Sequence, residues 1–288
     1  MSPDKSSIAV ITDSTCNIPP ELVKQHNIYV VLQHLIWGTE DLLDQKDIDN
    51  AGFYQRLPRD PVHPKTSQPP AREFTAMIEQ AKTDGATQAL ILTVSQPLSG
   101  TYSSAKQSTD LVDIPVEAYD SRSAGMGLGW QVLAAARARD AGSDVNGMIE
   151  AAKKVREHLQ MLLVVDTLEY LHKGGRIGGA QKLIGTALNL KPRLRVNPES
   201  GLVEAVERTR TRSKAVEGMY QAFFEKMDTS KPMHIAVHDA AAPKDAEALA
   251  DRIRDQYHPT ELFVTPLTPV LGTHVGPGTL AITGYYDD

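Results

Sequence analysis

Four short segments of this 288-residue chain combine hydroxyl, imidazole or guanidinium side chains with glycine or proline, a combination that can aim polar groups at an anion. The first, Thr66-Ser67-Gln68-Pro69, stands immediately before a predicted helix. Two readings fit it. One is a helix cap followed by prolines in the first turn, with Glu73 near that turn. The other is a helix N-terminus whose free hydroxyls and N–H groups receive an anion. Capped helix starts are commonplace, and a cap alone accounts for the residues. The second segment, Ser95-Gln96-Pro97-Leu98-Ser99-Gly100-Thr101-Tyr102, joins a predicted strand to a predicted helix. A glycine in such a turn lets a ligand approach the backbone closely. It has one glycine and no Gly-Lys-Ser/Thr, so it is not a phosphate-cradling loop. It also lacks the Gly-x-Ser-x-Gly of a nucleophile elbow. An ordinary strand-to-helix connection is the alternative. The third, Gly174-Gly175-Arg176-Ile177-Gly178-Gly179, lacks the preceding strand of a dinucleotide fingerprint. It reads either as a frayed helix end with a solvated Arg176, or as anion or partner docking through Arg176 and Lys173. The fourth, His274-Val275-Gly276-Pro277-Gly278-Thr279, places an imidazole in a predicted Pro- and Gly-rich loop. A lone histidine is more often structural, but beside hydroxyls it can bond a carboxylate.

Two further patterns carry less. Arg208, Arg210 and Arg212 alternate with threonines, and on a strand they would share one face. That face is either a solvated edge or a docking patch for an acidic partner. His234 and His238 have a four-residue spacing but fall on a predicted strand, and no His-Glu-x-x-His occurs, so no metal site is expected. The single cysteine, Cys16, excludes an intramolecular disulfide and a four-cysteine zinc site, and it suits a reducing cytoplasm. A net charge of −6 provides no global basic field for nucleic acid. The apolar run Ile8 to Ile11 is too short for a signal-peptide core, and no stretch approaches the roughly 18 apolar residues of a membrane span. Stable membrane insertion is not expected; any lipid must be met as single molecules in an internal site.

The elements that must position these groups follow from periodicity. The first half alternates short β-rich runs with helical patterns: Ile8 to Thr12, a helix from Pro19-Pro20 to His26, Ile28 to Ile36, a helix from Asp47 to Leu57, and a loop from Pro58 to Gln68. Phe74, Met77, Ile78 and Ala81 then share one helical face, Gln88 to Val94 reads as a central strand, and Pro115 to Tyr119 as another. A helix from about Ser123 to Arg139 closes this half. The order predicts an α/β fold with a mostly parallel sheet and helices on both faces. Ligands of such sheets bind at the carboxyl ends of the strands. Asp13-Ser14-Thr15, Ser95 to Thr101 and Asp120-Ser121 all fall at such ends, so they are candidates for one shared site. The second half mixes a hairpin turning at Asn197 to Gly201 with crossover helices, which predicts a mixed sheet. About two domains are expected for this length. The division falls near the helix from Asp144 to Leu159, giving one domain over 1–158 and a second over 159–288.

Together the motifs resemble the DegV family of bacterial fatty-acid-binding proteins. The matching segments are Thr12-Asp13-Ser14-Thr15, Thr66-Ser67-Gln68-Pro69, Leu98-Ser99-Gly100-Thr101-Tyr102, Asp120-Ser121, Asp166-Thr167-Leu168-Glu169-Tyr170-Leu171 running into Gly174-Gly175-Arg176-Ile177, Lys191-Pro192, Arg210-Thr211-Arg212, and His274-x-Gly276-Pro277-Gly278. They occur in the family's order over nearly the whole chain. The resemblance implies one fatty acid buried between two domains, with its carboxylate held by Thr66, by Ser95 or Ser99, and by His274. Asp13, Ser14, Ser67, Gly100, Thr101 and Gly276 would stand in the supporting loops. It further implies a non-catalytic carrier subunit that presents the carboxylate to a separate fatty acid kinase for acyl-phosphate formation and phospholipid synthesis. Arg176 and Arg210 would then contribute to kinase docking, and no cofactor or metal is implied. Ser95-Gln96-Pro97 stands where the family often has Ser-Ser, which leaves both Ser95 and Ser99 open. Thr279-Leu280-Ala281 likewise replaces the usual glycine after an apolar residue.

The ligand suits these residues. Each buried methylene contributes about 0.8 kcal/mol, so a long acyl tail supplies on the order of 10 kcal/mol gross. The head group then needs only orientation and relief from desolvation, which hydroxyls and an imidazole can give without a fully buried cation. The tail is expected in a tunnel within the first domain. A serine- and histidine-dependent hydrolase of a lipid or ester is the competing reading, weakened by the missing elbow and the missing acidic orienter. A small-molecule kinase is weakened by the missing phosphate loop.

Overall fold

The computed structural model describes residues 7–183 and 190–288. In the first half, β1 (Ile8–Asp13), α1 (Pro20–Gln25), β2 (Ile28–Val31), β3 (His34–Trp37), β4 (Glu40–Leu43), α2 (Asn50–Arg56) and β5 (Lys65–Ser67) lead to α3 (Ala71–Thr83). Then come β6 (Gln88–Thr93), α4 (Thr101–Ser108), β7 (Val116–Asp120), α5 (Met126–Asp140) and α6 (Val145–His158). The second half has β8 (Gln160–Val164), α7 (Glu169–Lys173), β9 (Lys191–Val196), β10 (Val203–Thr209), α8 (Arg212–Phe224) and β11 (Met233–Asp239). It ends with α9 (Pro243–Tyr257), β12 (Glu261–Pro266), α10 (Pro269–Val275) and β13 (Leu280–Tyr286).

Three sheets organise these elements. The first is fully parallel, in the order β2-β1-β6-β7. Its inner strand β6 is buried along all but its first residue and apolar from Ala89 to Leu92, as suits a strand covered on both faces. The second sheet is mixed, β10-β9-β8-β13-β11-β12, with β11 and β12 parallel and the other pairs antiparallel. The third is a small antiparallel sheet, β4-β3-β5. The parallel and mixed sheets agree with expectation.

The small sheet does not, and it changes two assignments. The run Ile28 to Ile36 is two strands in different sheets, because the chain leaves the parallel sheet at Gln33. There the backbone groups find partners outside any ladder: Gln33 N–H donates to Ser14 Oγ (3.1 Å), and Gln33 C=O accepts from Asp44 N–H (2.9 Å). The expected loop Pro58 to Gln68 contains β5, whose Thr66 faces Leu35 of β3. Thr66 is therefore a strand residue and caps nothing; α3 starts after Pro70 without a side-chain cap. The alternating arginines do not share a strand face either. β10 stops at Thr209, Arg210 lies exposed in the following turn, and Arg212 opens α8. Arg212 is committed to Asp166 (2.8 Å), Asp245 (2.9 Å) and the Gly278 carbonyl.

Helix α5 lies between the halves. Eleven of its fifteen residues are buried, so it has no solvent stripe. Trp130 stacks on Phe263 of β12 at 5.3 Å and meets Tyr285 of β13 edge-on at 5.7 Å. Among the described residues no helix is long and apolar enough to cross a membrane.

Candidate functional site

The carboxyl ends of the parallel strands face the mixed sheet across a cavity. It measures about 90 Å³ for the centre of a water molecule and about 840 Å³ of atom-free space including its mouth. One wall is the strand-end turns of the first half: Thr15, Val94, Leu98, Ser99, Ala124 and Gly125. The facing wall is Met161 and Leu163 of β8, Val196 of β9, Val203 of β10 and Ala281 of β13. Leu171 of α7 and Leu267, Val270, Leu271 and Val275 at α10 close it. Most of the aliphatic lining thus comes from beyond residue 159. The first half supplies chiefly turns.

The parallel sheet reverses its winding between β1 and β6, the crevice where such sheets bind ligands. Asp13 ties that crevice together: its carboxylate accepts from Thr15 N–H (3.0 Å), Thr15 Oγ (2.6 Å) and Val94 N–H (2.8 Å). Burial raises the Asp13 pKa, and these donors oppose that shift. The next turn brings in the serines. Leu98 and Ser99 N–H groups donate to Ser95 C=O (3.0 and 3.1 Å), which turns the chain over on itself. Ser99 Oγ then lines the cavity, whereas the fully buried Ser95 Oγ donates to Gly201 C=O at 2.7 Å. Ser95 therefore pins the β9–β10 turn and does not reach the cavity.

His274 stands in the last turn of α10, not in a loop. Its Nε2 lies 2.8 Å from Thr66 Oγ1, so two residues 208 positions apart form one pair. Burial, then the positive charges of Arg176 and His63, push the imidazole pKa down to about 3, so the ring is neutral near neutral pH. A neutral ring carries one N–H. Nδ1 is buried without a partner, against the Cα of Gly174, where a Cβ would overlap it. Burying a bare lone pair there costs less than burying an N–H with no acceptor, which assigns the proton to Nε2. Nε2–H then donates to Thr66 Oγ, and the Thr66 hydroxyl hydrogen is left free for an anion. A parallel chain ends at Ser99. Gln33 Nε2–H donates to Thr101 Oγ1 (2.9 Å), and Thr101 Oγ1 sits 2.8 Å from Ser99 Oγ. Thr101 N–H also donates to Ser99 Oγ (3.3 Å), which holds the Ser99 side chain at the cavity. Thr66 and Ser99 hydroxyls lining a largely aliphatic cavity suit a carboxylate on a hydrocarbon chain.

Arg176 adds the cation. It lines the cavity half-buried, with Nε donating to Leu98 C=O (2.9 Å) and one terminal nitrogen to Gly174 C=O (2.7 Å). These carbonyls aim the guanidinium inward, a placement not anticipated for a docking residue. Of the other expected residues, Ser67 is exposed beside Thr66, and Ser14 is buried and donates to Asp44 (2.7 Å). Gly100 packs against Gln68, and Gly276 takes a positive φ of 75° where a Cβ would overlap the Tyr170 ring. Thr15, expected at a strand end, lines the cavity, whereas Gln33 and Asp44 were missed. Only Gln33 left a sequence signal, as a polar break in an apolar run. No serine oxygen contacts His274, and no carboxylate orients its ring, so the described residues form no hydrolytic triad. Among the described residues no cluster of His, Cys, Asp and Glu could hold a metal ion.

A family model described as an uncharacterised protein of the DegV family matches residues 7–287. The DegV domain-containing protein SCO2569 of Streptomyces coelicolor is 36% identical over 277 residues, covering 96% of this chain and 97% of its own. A DegV family protein from Thermus thermophilus, described by its fatty acid binding, superposes with a TM-score of 0.90 at 30% identity, covering 98% of this chain and 100% of that one. DegV of Bacillus subtilis, described as a fatty acid binding protein, superposes with a TM-score of 0.89 at 30% identity, covering 98% and 99%.

Proposed function

We propose that this chain, which belongs to the DegV family, holds one long-chain fatty acid and presents its carboxylate to a separate kinase without catalysing a reaction itself. The observation that carries the reading is that Thr66, His274 and Ser99 line one cavity otherwise walled chiefly by aliphatic side chains, with Thr66 and His274 in direct contact. The hydroxyls orient the head group, and Arg176 balances its charge. The two relatives described as fatty acid binding share both halves of the fold. The tail lies between the parallel and mixed sheets. The carrier role extends the resemblance read from the motifs. Arg210, exposed in the turn before α8, is the kinase-docking candidate that stays on the surface. Arg176 serves the head group first.

Native mass spectrometry of the purified protein tests the reading. A bound mass equal to a single fatty acid is expected, and loss of that mass on delipidation should be reversed by added fatty acid. Protein that carries none and takes none up would overturn it. Acyl-phosphate formation from the loaded protein, with a fatty acid kinase and ATP, tests the carrier role separately.

A further inference from the structure

We propose that Asp44 is the positioning residue of the head-group site, joining the helix that carries His274 to the turn that carries Ser99. The inference rests on the fatty-acid reading above and deepens it. Asp44 is fully buried and does not line the cavity. Its Oδ1 accepts from Val270 N–H at 3.3 Å. Val270 is the second residue of α10, where backbone N–H groups have no partner within the helix and a negative charge is favourable. His274 follows four residues later, about one turn along the same face. Displacing the start of α10 therefore displaces the imidazole.

The other oxygen reaches Ser99. Asp44 Oδ2 accepts from Ser14 Oγ (2.7 Å), and Ser14 Oγ accepts from Gln33 N–H (3.1 Å). Asp44 N–H donates to Gln33 C=O (2.9 Å), so Gln33 is held from both sides. The Gln33 amide then holds Thr101, and Thr101 holds Ser99. Both Ser99 and His274 therefore depend on Asp44, one through Gln33 and Thr101 and the other through α10.

The carboxylate is also a pH sensor. Burial pushes the Asp44 pKa up to about 7, against the stabilising bonds from Ser14 and Val270. Asp13 of β1, Cys16 of the next turn and Tyr54 of α2 face it. Cys16 and Tyr54 are held neutral by burial, while Asp13 disfavours a second charge. Ionised Asp44 accepts from both Ser14 and Val270. Protonated, it keeps one strong acceptor and loses the charge that strengthens both bonds, which loosens α10 or Gln33. His274 stays neutral through this range.

Dissociation of cis-parinaric acid from the full chain, followed from about pH 6 to about pH 8.5, tests this. Wild-type dissociation should slow about tenfold toward the alkaline end, the effect of one hydrogen bond to a charged group. Asp44→Asn resembles the protonated state, so it should dissociate at the wild type's acid rate at every pH. A purely structural role would lower the melting temperature and leave the pH midpoint in place. An Asp44→Asn protein that keeps the wild-type rate and pH step, or a wild type with no step, overturns the proposal. Should Asp44→Asn fail to fold, Ser14→Ala cuts one link and keeps the charge. It should speed dissociation while retaining the step, and an unchanged rate would overturn the proposal. A wild type that binds no cis-parinaric acid sinks the fatty-acid reading instead.

Discussion

Thr66 and His274 each have one hydrogen to give, and their 2.8 Å contact decides where it goes. Because Nδ1 is bare against Gly174, the imidazole passes its hydrogen to Thr66, and Thr66 passes its own outward. The two serines show the same sorting by hydrogen bond. Ser95 has spent its hydrogen on Gly201 away from the cavity, while Ser99 lines the cavity. Ser99→Ala should raise the fatty acid dissociation rate about tenfold, the cost of a lost hydrogen bond to a charged group. Ser95→Ala should leave that rate unchanged and lower stability by about 1 kcal/mol. Stopped-flow exchange and urea titration of both variants check the pair, and equal exchange rates would refute the assignment of Ser99.

Helix α10 and the turn after it are short elements that depend on close backbone approach. Gly276 combines a φ of 75° with a ψ of 165°, a region open essentially to glycine alone, and the Tyr170 ring occupies the place of any Cβ. Gly276→Ala should therefore cost about 1–3 kcal/mol in backbone strain, with ring displacement added. Because His274 lies two residues before, the same change should weaken fatty acid binding. Thermal unfolding together with a binding titration measures both, and a variant with unaltered melting would contradict the strain argument. The small sheet β4-β3-β5 has a comparable task. Two ladder partners hold β3, and β3 in turn holds Thr66 on the short strand β5. The segment around Thr66 looks like a helix cap in sequence because prolines follow it, but a strand three residues long leaves almost no periodicity to read.

The halves of the molecule are clamped on the side of α5. Arg137 of α5 binds Glu261 of β12 through two bonds (2.9 and 2.6 Å), and His234 of β11 bridges Glu261 (2.6 Å) and Asp287 (3.1 Å). Burial alone would lower the His234 pKa, but bonds to the two carboxylates outweigh it and raise the pKa above 6.5. Glu261 shifts the opposite way, to about 2, as bonds to His234 and Arg137 overcome its own burial. A raised folded pKa means that the His234 contribution is fully present below the unfolded value of 6.5. It fades as pH rises through the higher folded value. The melting-temperature difference between wild type and His234→Gln should therefore be largest near pH 6, by a few degrees, and shrink toward about pH 9. A difference that grows with pH would show that the imidazole is neutral in the folded state.

Strand and helix order, the mixed character of the second sheet and the set of short polar motifs were all readable along the chain. Each depends on local periodicity, or on glycine, proline and hydroxyl chemistry within a few residues. The partners of those motifs were not readable. A valine at 196 or a leucine at 163 has the same alternation whether it faces packed core or an open slot. Arg176 looks solvated until the Leu98 carbonyl of a distant turn holds it at the cavity. Asp44 looks like any turn aspartate until α10, 226 residues later, is laid against it. A cavity is the space left between surfaces that fold together from both halves, so no single segment encodes it.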